Sequence, residues 1–281
     1  MHTTPRTPHK FEKVITDDGT VSLYSKEYGE AMHSLSGAYE EALLKHVRPS
    51  RILSRTGGHL CVLDIGFGLG YNSLALLTEW SRSDRPGNLH IAAFEKEIVP
   101  AKLMDAITFA DDRDSIYASL REAAVNGHAA RQGYTIDIHR GDARRLIRAI
   151  DDISVHAIFH DPFSPAKNPE LWSVDFFREV YRVADERCIL TTYSSATHIR
   201  MALMEAGFQI GRGPSVGKKR EGTLATKCAE VPPFTADEIE KMKNDIKAVP
   251  YRDSRLTGAK EEILALRKDE MRIKKGLQAR Q

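Results

Sequence analysis

The chain has 281 residues, 41% hydrophobic and 28% charged, a composition of globular proteins and not of disordered or collagen-like ones. No run reaches the roughly 18 to 20 apolar residues of a membrane helix, and the opening MHTTPRTPHK lacks the apolar core of a signal peptide. The net charge of +2 hides an asymmetry: residues 1–210 hold 24 Lys+Arg against 28 Asp+Glu, residues 211–281 hold 17 against 11. A basic end on a mildly acidic body suits a polyanionic partner, although a solvated helical tail has the same composition.

In chain order, residues 11–24 (FEKVITDDGTVSLY) predict a hairpin around Asp18-Gly19, a strong turn dipeptide between two strand-like runs. Residues 35–47 predict a helix that stops before Pro49. From residue 60 the chain alternates. Strands are expected at 60–65, 89–95, 134–139, 155–160 and 187–193, and helices at 71–80, 99–109, 142–150, 172–184 and 196–206. Strand-helix-strand repetition implies a parallel sheet covered on both faces. FQIGRG and GTLATK then predict a closing antiparallel ribbon. The tail reads as helical and partly independent, with a capping-box spacing at Thr235 and Glu238, an apolar face of Ile239, Met242 and Ile246, and a second helix over about 258–275. The expected organisation is an extension over 1–58, a Rossmann-like α/β domain over 59–228 and a basic helical tail over 229–281. Cys61, Cys188 and Cys228 form no CxxC pair. They read as buried free thiols in a reducing compartment, hence the cytoplasm, with neither a zinc site nor a disulfide frame.

Ligands of such a sheet sit at the carboxyl ends of its strands. There VLDIGFGLGYN places Gly66, Gly68 and Gly70 between strand and helix, where glycine lets the backbone approach a ligand closely. The spacing is neither the dinucleotide G-x-G-x-x-G nor a P-loop. Three acids end successive strands. Asp64 can meet a cationic amino group or hold the loop, and Glu95 can accept both hydroxyls of a ribose. Asp142, with the adjacent amide of Ala143, can recognise an adenine edge or cap the helix it precedes. An amino-acid end, a ribose and an adenine, with no basic residue for a pyrophosphate, describe S-adenosylmethionine.

The fourth strand ends in DPFSPAKNPELW, a loop stiffened by Pro162, Pro165 and Pro169 with Asp161 first. In methylation of an amine the nitrogen needs a free lone pair aligned with the methyl. Asp161 can orient the amine and take its proton, directly or through water, and Phe163 can cover the ammonium. Displacement at a sulfonium methyl requires positioning more than Lewis acidity, so no metal is expected.

DPFSPAKNPELWSVDFF and ATHIRMALMEAGFQIGRGPSVGKKREGTLAT resemble the bacterial tRNA (5-aminomethyl-2-thiouridine) methyltransferase family, which forms half of the bifunctional MnmC protein and also occurs free-standing. Asp161 to Trp172, Ala206–Phe208, Gly217–Arg220, Gly66–Asn72 and Phe94–Lys96 carry the match, which covers roughly 11–228. The resemblance implies a class I S-adenosylmethionine-dependent fold and N-methylation of the 5-aminomethyl group of a wobble uridine in tRNA, giving 5-methylaminomethyl. It implies that Phe67, Asn72 and Lys96 join the cofactor site and that Phe163, Lys167, Asn168 and Trp172 build the substrate pocket. Lys218, Lys219 and Arg220 become the phosphate-binding candidates, and Tyr24, Tyr28 and His33, on the segment YSKEYGEAMHS, candidates for the pocket wall. Relatives often carry Gly where Pro162 stands. Residues 229–281 are too short for an FAD-dependent oxidase, so methylation alone is expected, with other wobble-modifying enzymes supplying the aminomethyl group. A small-molecule amine methyltransferase and a non-catalytic module binding tRNA or S-adenosyl ligands stay open as alternatives.

Overall fold

The computed structural model describes residues 10–17, 19–33, 37–83, 87–215 and 221–279. Strands β1 (Phe11–Ile15) and β2 (Val21–Ser25) pair antiparallel across the Gly19 turn, and β3 (Glu30–Ala31) adds to β2, making a small three-stranded sheet. Asp18 of the expected turn lies outside the described residues, as does the stretch 34–36 at the expected helix start. That helix is α1 (Ala38–Ala42), which continues through a π turn (Leu43–Val47) into α2 (Arg48–Ser50). It therefore does not stop before Pro49. The π turn has already displaced the i→i−4 ladder, so a residue without an N–H is accommodated in the next turn. Arg51, left-handed at φ 55, ends it.

The main sheet uses β4 (His59–Ile65), β5 (Asn88–Glu95), β6 (His128–Arg131), β7 (Tyr134–Arg140), β8 (Val155–His160), β9 (Ala184–Thr192), β10 (Gln209–Arg212) and β11 (Thr223–Thr226) in the order β10-β11-β9-β8-β4-β5-β7-β6. β7, β5, β4, β8 and β9 run parallel, while β6 and β11 run antiparallel to their neighbours. This is a Rossmann-like, mostly parallel sheet. Period-two alternation sends Val62, Ile91, Ala93, Ala157 and Phe159 into one core and Leu63, Ile65, Ala92, Phe94 and Ile158 into the other. Helices α3 (Tyr71–Ser81), α4 (Ala101–Met104), α5 (Arg113–Asn126), α6 (Ala143–Leu146), α7 (Val174–Val183) and α8 (Thr197–Glu205) connect the strands. The expected helix at 99–109 shrinks to α4. The longer α5 was not anticipated, although Ile116, Tyr117, Leu120 and Ala123 form a buried stripe at helical spacing.

Both flanks share the sheet's cores. Leu23, Ala38, Ala42, Val47 and Ile52 bury in the first. The tail helices α9 (Ala236–Asn244), with its Thr235/Glu238 capping box, and α10 (Lys260–Gln278) bracket a segment whose Tyr251 and Leu256 bury, with Ile263, in the second. Tyr251 O accepts the N–H of Val174 at 3.0 Å. The tail is thus less independent than its composition implied. Some of its basic residues are structural: Arg252 pairs with Glu205 and Glu270, and Arg267 donates to Val249 O and Lys247 O. Of the thiols, Cys188 is buried, Cys61 half-buried and Cys228 exposed, where burial of all three was expected.

Candidate active site

β4 lies between β5 and β8, the point where strand order reverses and open α/β sheets bind ligands. Beyond Ile65 the chain turns through Gly66 at φ +92, and a Cβ there would stand 2.7 Å from Asp161 O. The first glycine is needed because two loops touch at this point. Gly66 and Phe67 donate N–H groups to Phe94 O, and Gly68 N–H donates to Glu95 Oε2 at 2.9 Å. Glu97 N–H holds the other oxygen, also at 2.9 Å. Burial pushes the Glu95 carboxyl up, and these amides oppose the shift. A carboxylate oxygen accepts more than one hydrogen bond, so Glu95 keeps capacity for a vicinal diol.

Asp142 caps α6, accepting from Arg144 N–H at 3.0 Å, and also receives the Arg144 guanidinium, with Nη2 2.7 Å from Oδ2. Burial raises the Asp142 carboxyl, but the Arg144 bonds outweigh it and hold it low. Arg144 is anchored from the tail by Asp253 at 2.6 Å and Gly258 O at 2.9 Å.

Asp161 leaves β8 with its N–H on Ile65 O at 2.9 Å, and Asn72 Nδ2 donates to its Oδ2 at 3.0 Å. Each following carbonyl is tethered. Tyr193 Oη donates to Pro162 O at 3.0 Å, Trp172 Nε1 donates to Phe163 O at 2.9 Å, and Ser164 O accepts from Lys167 and Asn168 N–H. The prolines therefore act together with a hydrogen-bonded turn. His160, pushed down to about 4 by burial, is neutral; its Nε2 donates to Leu171 O and its ring meets Trp172 edge-on. The small sheet closes over this loop. Tyr28 stacks on Phe163 with centroids 4.1 Å apart, and Glu30 Oε2 accepts Ser164 N–H at 3.1 Å.

Between these walls lies a cavity of about 750 Å³. Among the residues expected from sequence, Gly66, Phe67, Gly68, Asn72, Glu95, Lys96, Asp142, Ala143, Asp161, Phe163, Asn168, Tyr28 and His33 line it. Others do not. Asp64 is fully buried, away from the cavity wall, and accepts from Ser73 Oγ of α3 at 2.7 Å. Gly70 caps α3, and Trp172 supports the loop from the core instead of facing the pocket. Lys167 is exposed, and Tyr24 stands outside the cavity wall. Lys218, Lys219 and Arg220 lie outside the described residues. Sequence reasoning missed His46, Glu30, Glu41, Arg144, Glu170 and Tyr193, all on the wall. Tyr193 was accessible to it, since it directly follows β9 on the same rim. His46 and Glu41 carry no local signal. No group of three or more His, Cys, Asp or Glu among the described residues is arranged to hold a metal, and no described helix is long and apolar enough to cross a membrane.

A family described as S-adenosyl-L-methionine-dependent methyltransferase matches residues 112–228. The crystal structure of MnmC2 from Aquifex aeolicus superposes with a TM-score of 0.85 at 34% identity, over 95% of this chain and 87% of that one. The chain belongs to the MnmC methyltransferase family. An uncharacterised protein of Methanocaldococcus jannaschii is 33% identical over 261 residues, 91% of this chain and 71% of its own length. The tRNA 5-methylaminomethyl-2-thiouridine biosynthesis bifunctional protein MnmC of Burkholderia vietnamiensis is 34% identical over 220 residues, 72% of this chain. The match spans 33% of that longer relative. As a member of this family the chain uses S-adenosyl-L-methionine, which supplies an electrophilic methyl on a sulfonium. The site fits it. Gly66 permits close backbone approach, Glu95 offers carboxylate oxygens at the second strand end, and Asp142 with Ala143 forms the third wall.

Proposed function

We propose that the chain methylates the 5-aminomethyl nitrogen of a wobble uridine, with or without 2-thiolation, in tRNA. The reading rests above all on the contact between Gly66 and Asp161, which sets a carboxylate held by Asn72 against the loop expected to cradle the cofactor. Glu95, Asp142, Ala143 and the glycine loop bind the cofactor, with Phe67, Asn72 and Lys96 beside them; Asp161 holds the amine, and Phe163 covers it. The names of the bifunctional relatives, which concern tRNA 5-methylaminomethyl-2-thiouridine biosynthesis, point the same way. Lys218, Lys219 and Arg220 are assigned to backbone phosphates, with the cytoplasm as the place of action and an aminomethyl-forming enzyme upstream.

The test uses tRNA from cells lacking this modification and cofactor radiolabelled in the methyl. Label should enter that tRNA and not tRNA already carrying the finished nucleoside. Affinity should fall steeply with salt as phosphate contacts release counterions. Label entering free amines equally well, with no salt dependence, would replace tRNA by a small-molecule acceptor.

A further inference from the structure

We propose that His46 accepts the proton the substrate amine must lose, at Nε2, while Asp161 holds that amine beside it. This rests on reading the acceptor as an amine. His46 lies in the π turn after α1, a kind of turn frequent at functional sites, and reaches the cavity wall with 2% of its surface exposed. Its Nδ1 is 2.9 Å from Thr191 Oγ1, and the Thr191 hydroxyl donates its hydrogen to Ile158 O at 3.3 Å. A hydroxyl has one hydrogen to give, so Thr191 receives the Nδ1–H, and the ring in its neutral form carries its lone pair on Nε2.

That nitrogen stands 3.7 Å from Asp161 Oδ1, beyond hydrogen-bond length. The other Asp161 oxygen takes the Asn72 amide. A carboxylate oxygen and an imidazole nitrogen therefore stand together at the cavity wall, too far apart to satisfy each other. A group with several N–H donors and a positive charge suits that pair. An alkylammonium, near about 10.4 for a lysine side chain, keeps its proton at neutral pH and has no lone pair to give. Imidazole is the side chain most often used to remove such a proton, and here it stands beside the carboxylate that holds the amine. The other titratable groups around His46 are Asp64 and His160 on the neighbouring strands, Glu41, paired with Lys45 on the same helix, and Tyr193 across the cavity.

The step balances. The ammonium gives one proton to Nε2, and the freed nitrogen lone pair forms the N–C bond as the C–S electron pair returns to sulfur. The products are a secondary ammonium and S-adenosylhomocysteine. Asp161 then neutralises the imidazolium, which returns its proton to solvent.

Single-turnover transfer to aminomethyl-bearing tRNA, measured against pH, tests the assignment. His46→Gln should slow transfer about a hundredfold or more, the usual scale for a lost general base. It should also change the dependence of the rate on pH, with cofactor affinity unchanged. Free imidazole should restore part of the rate of His46→Ala, and Thr191→Val should lower the rate less. Wild-type rate and profile in His46→Gln would overturn the assignment. No transfer by the wild-type protein would instead strike the tRNA reading. Nitrogen NMR of His46 in the S-adenosylhomocysteine complex decides the geometry independently of substrate. It should show the proton on Nδ1 and a titration lowered by Asp161→Asn. A proton on Nε2, or indifference to Asp161→Asn, would overturn the proposal even if the variants fail to fold.

Discussion

The two halves of the cavity are built in different ways. The half proposed for the cofactor takes its groups from the ends of β4, β5 and β7, where Glu95 and Asp142 are held by amides or side chains within a few residues or on the loop after the next strand. The acceptor half is assembled from distant segments: Tyr28 and Glu30 from the small sheet, His46 from the π turn, Asn72 from α3, Asp161 and Phe163 from the loop after β8, and Tyr193 after β9. Local geometry shapes the half proposed for the cofactor, whereas the half proposed for the acceptor is built by convergence of remote parts.

The largest effect should separate the halves. Asp161→Ala is expected to lower turnover at least about a hundredfold, the scale of a misplaced reacting group, while cofactor affinity by calorimetry stays near wild type. Equal loss of both would erase the distinction. Gly66→Ala should do the opposite and damage both halves together. Its Cβ would meet Asp161 O at 2.7 Å, and a displacement of about 1 Å at a reacting centre costs on the order of a hundredfold. Cofactor binding and turnover measured on the same preparation check this.

Glu95→Gln should confine its damage to the cofactor half. Losing a charged hydrogen-bond acceptor, about 1.5–3 kcal/mol, predicts roughly 10- to 150-fold weaker cofactor binding with turnover kept at saturation. Tyr28→Ala should act on the acceptor half alone. The stack on Phe163, about 0.5–1.5 kcal/mol, predicts a rise in KM for tRNA of roughly two- to tenfold.

The smallest effect concerns Asp64, on which neither half depends for chemistry. Burial lifts its carboxyl to about 7 against the opposing Ser73 hydroxyl, while an unfolded aspartate titrates near about 3.9. Between these values the folded state holds the extra proton. The group's contribution to stability is full below the unfolded value and is lost as pH rises through about 7. Asp64→Asn retains an acceptor for Ser73 and cannot ionise. Its melting temperature should gain on wild type by a few degrees between about pH 5 and about pH 8.

The same division explains what could be read from sequence. Asp161, Glu95 and Asp142 were legible because a strand's end faces a known rim, and a continuous apolar run marks the strand. Trp172 was placed in the pocket because its motif borders it, but Phe163 O draws its Nε1–H inward and the core takes the ring. His46 was hidden, since its relation to Asp161 depends on how a helix 115 residues earlier packs on β9. The tail's burial was hidden likewise, because Asp253 meets Arg144 only once the tail packs into the core beside α6.

The most direct test is mass analysis of the wobble nucleoside in hypomodified tRNA after incubation with the protein and S-adenosylmethionine. The account predicts that 5-aminomethyl-2-thiouridine is converted to its 5-methylaminomethyl form, and that Asp161→Ala leaves it in place. An unchanged aminomethyl pool with the wild-type protein, under conditions where cofactor binds, would contradict it.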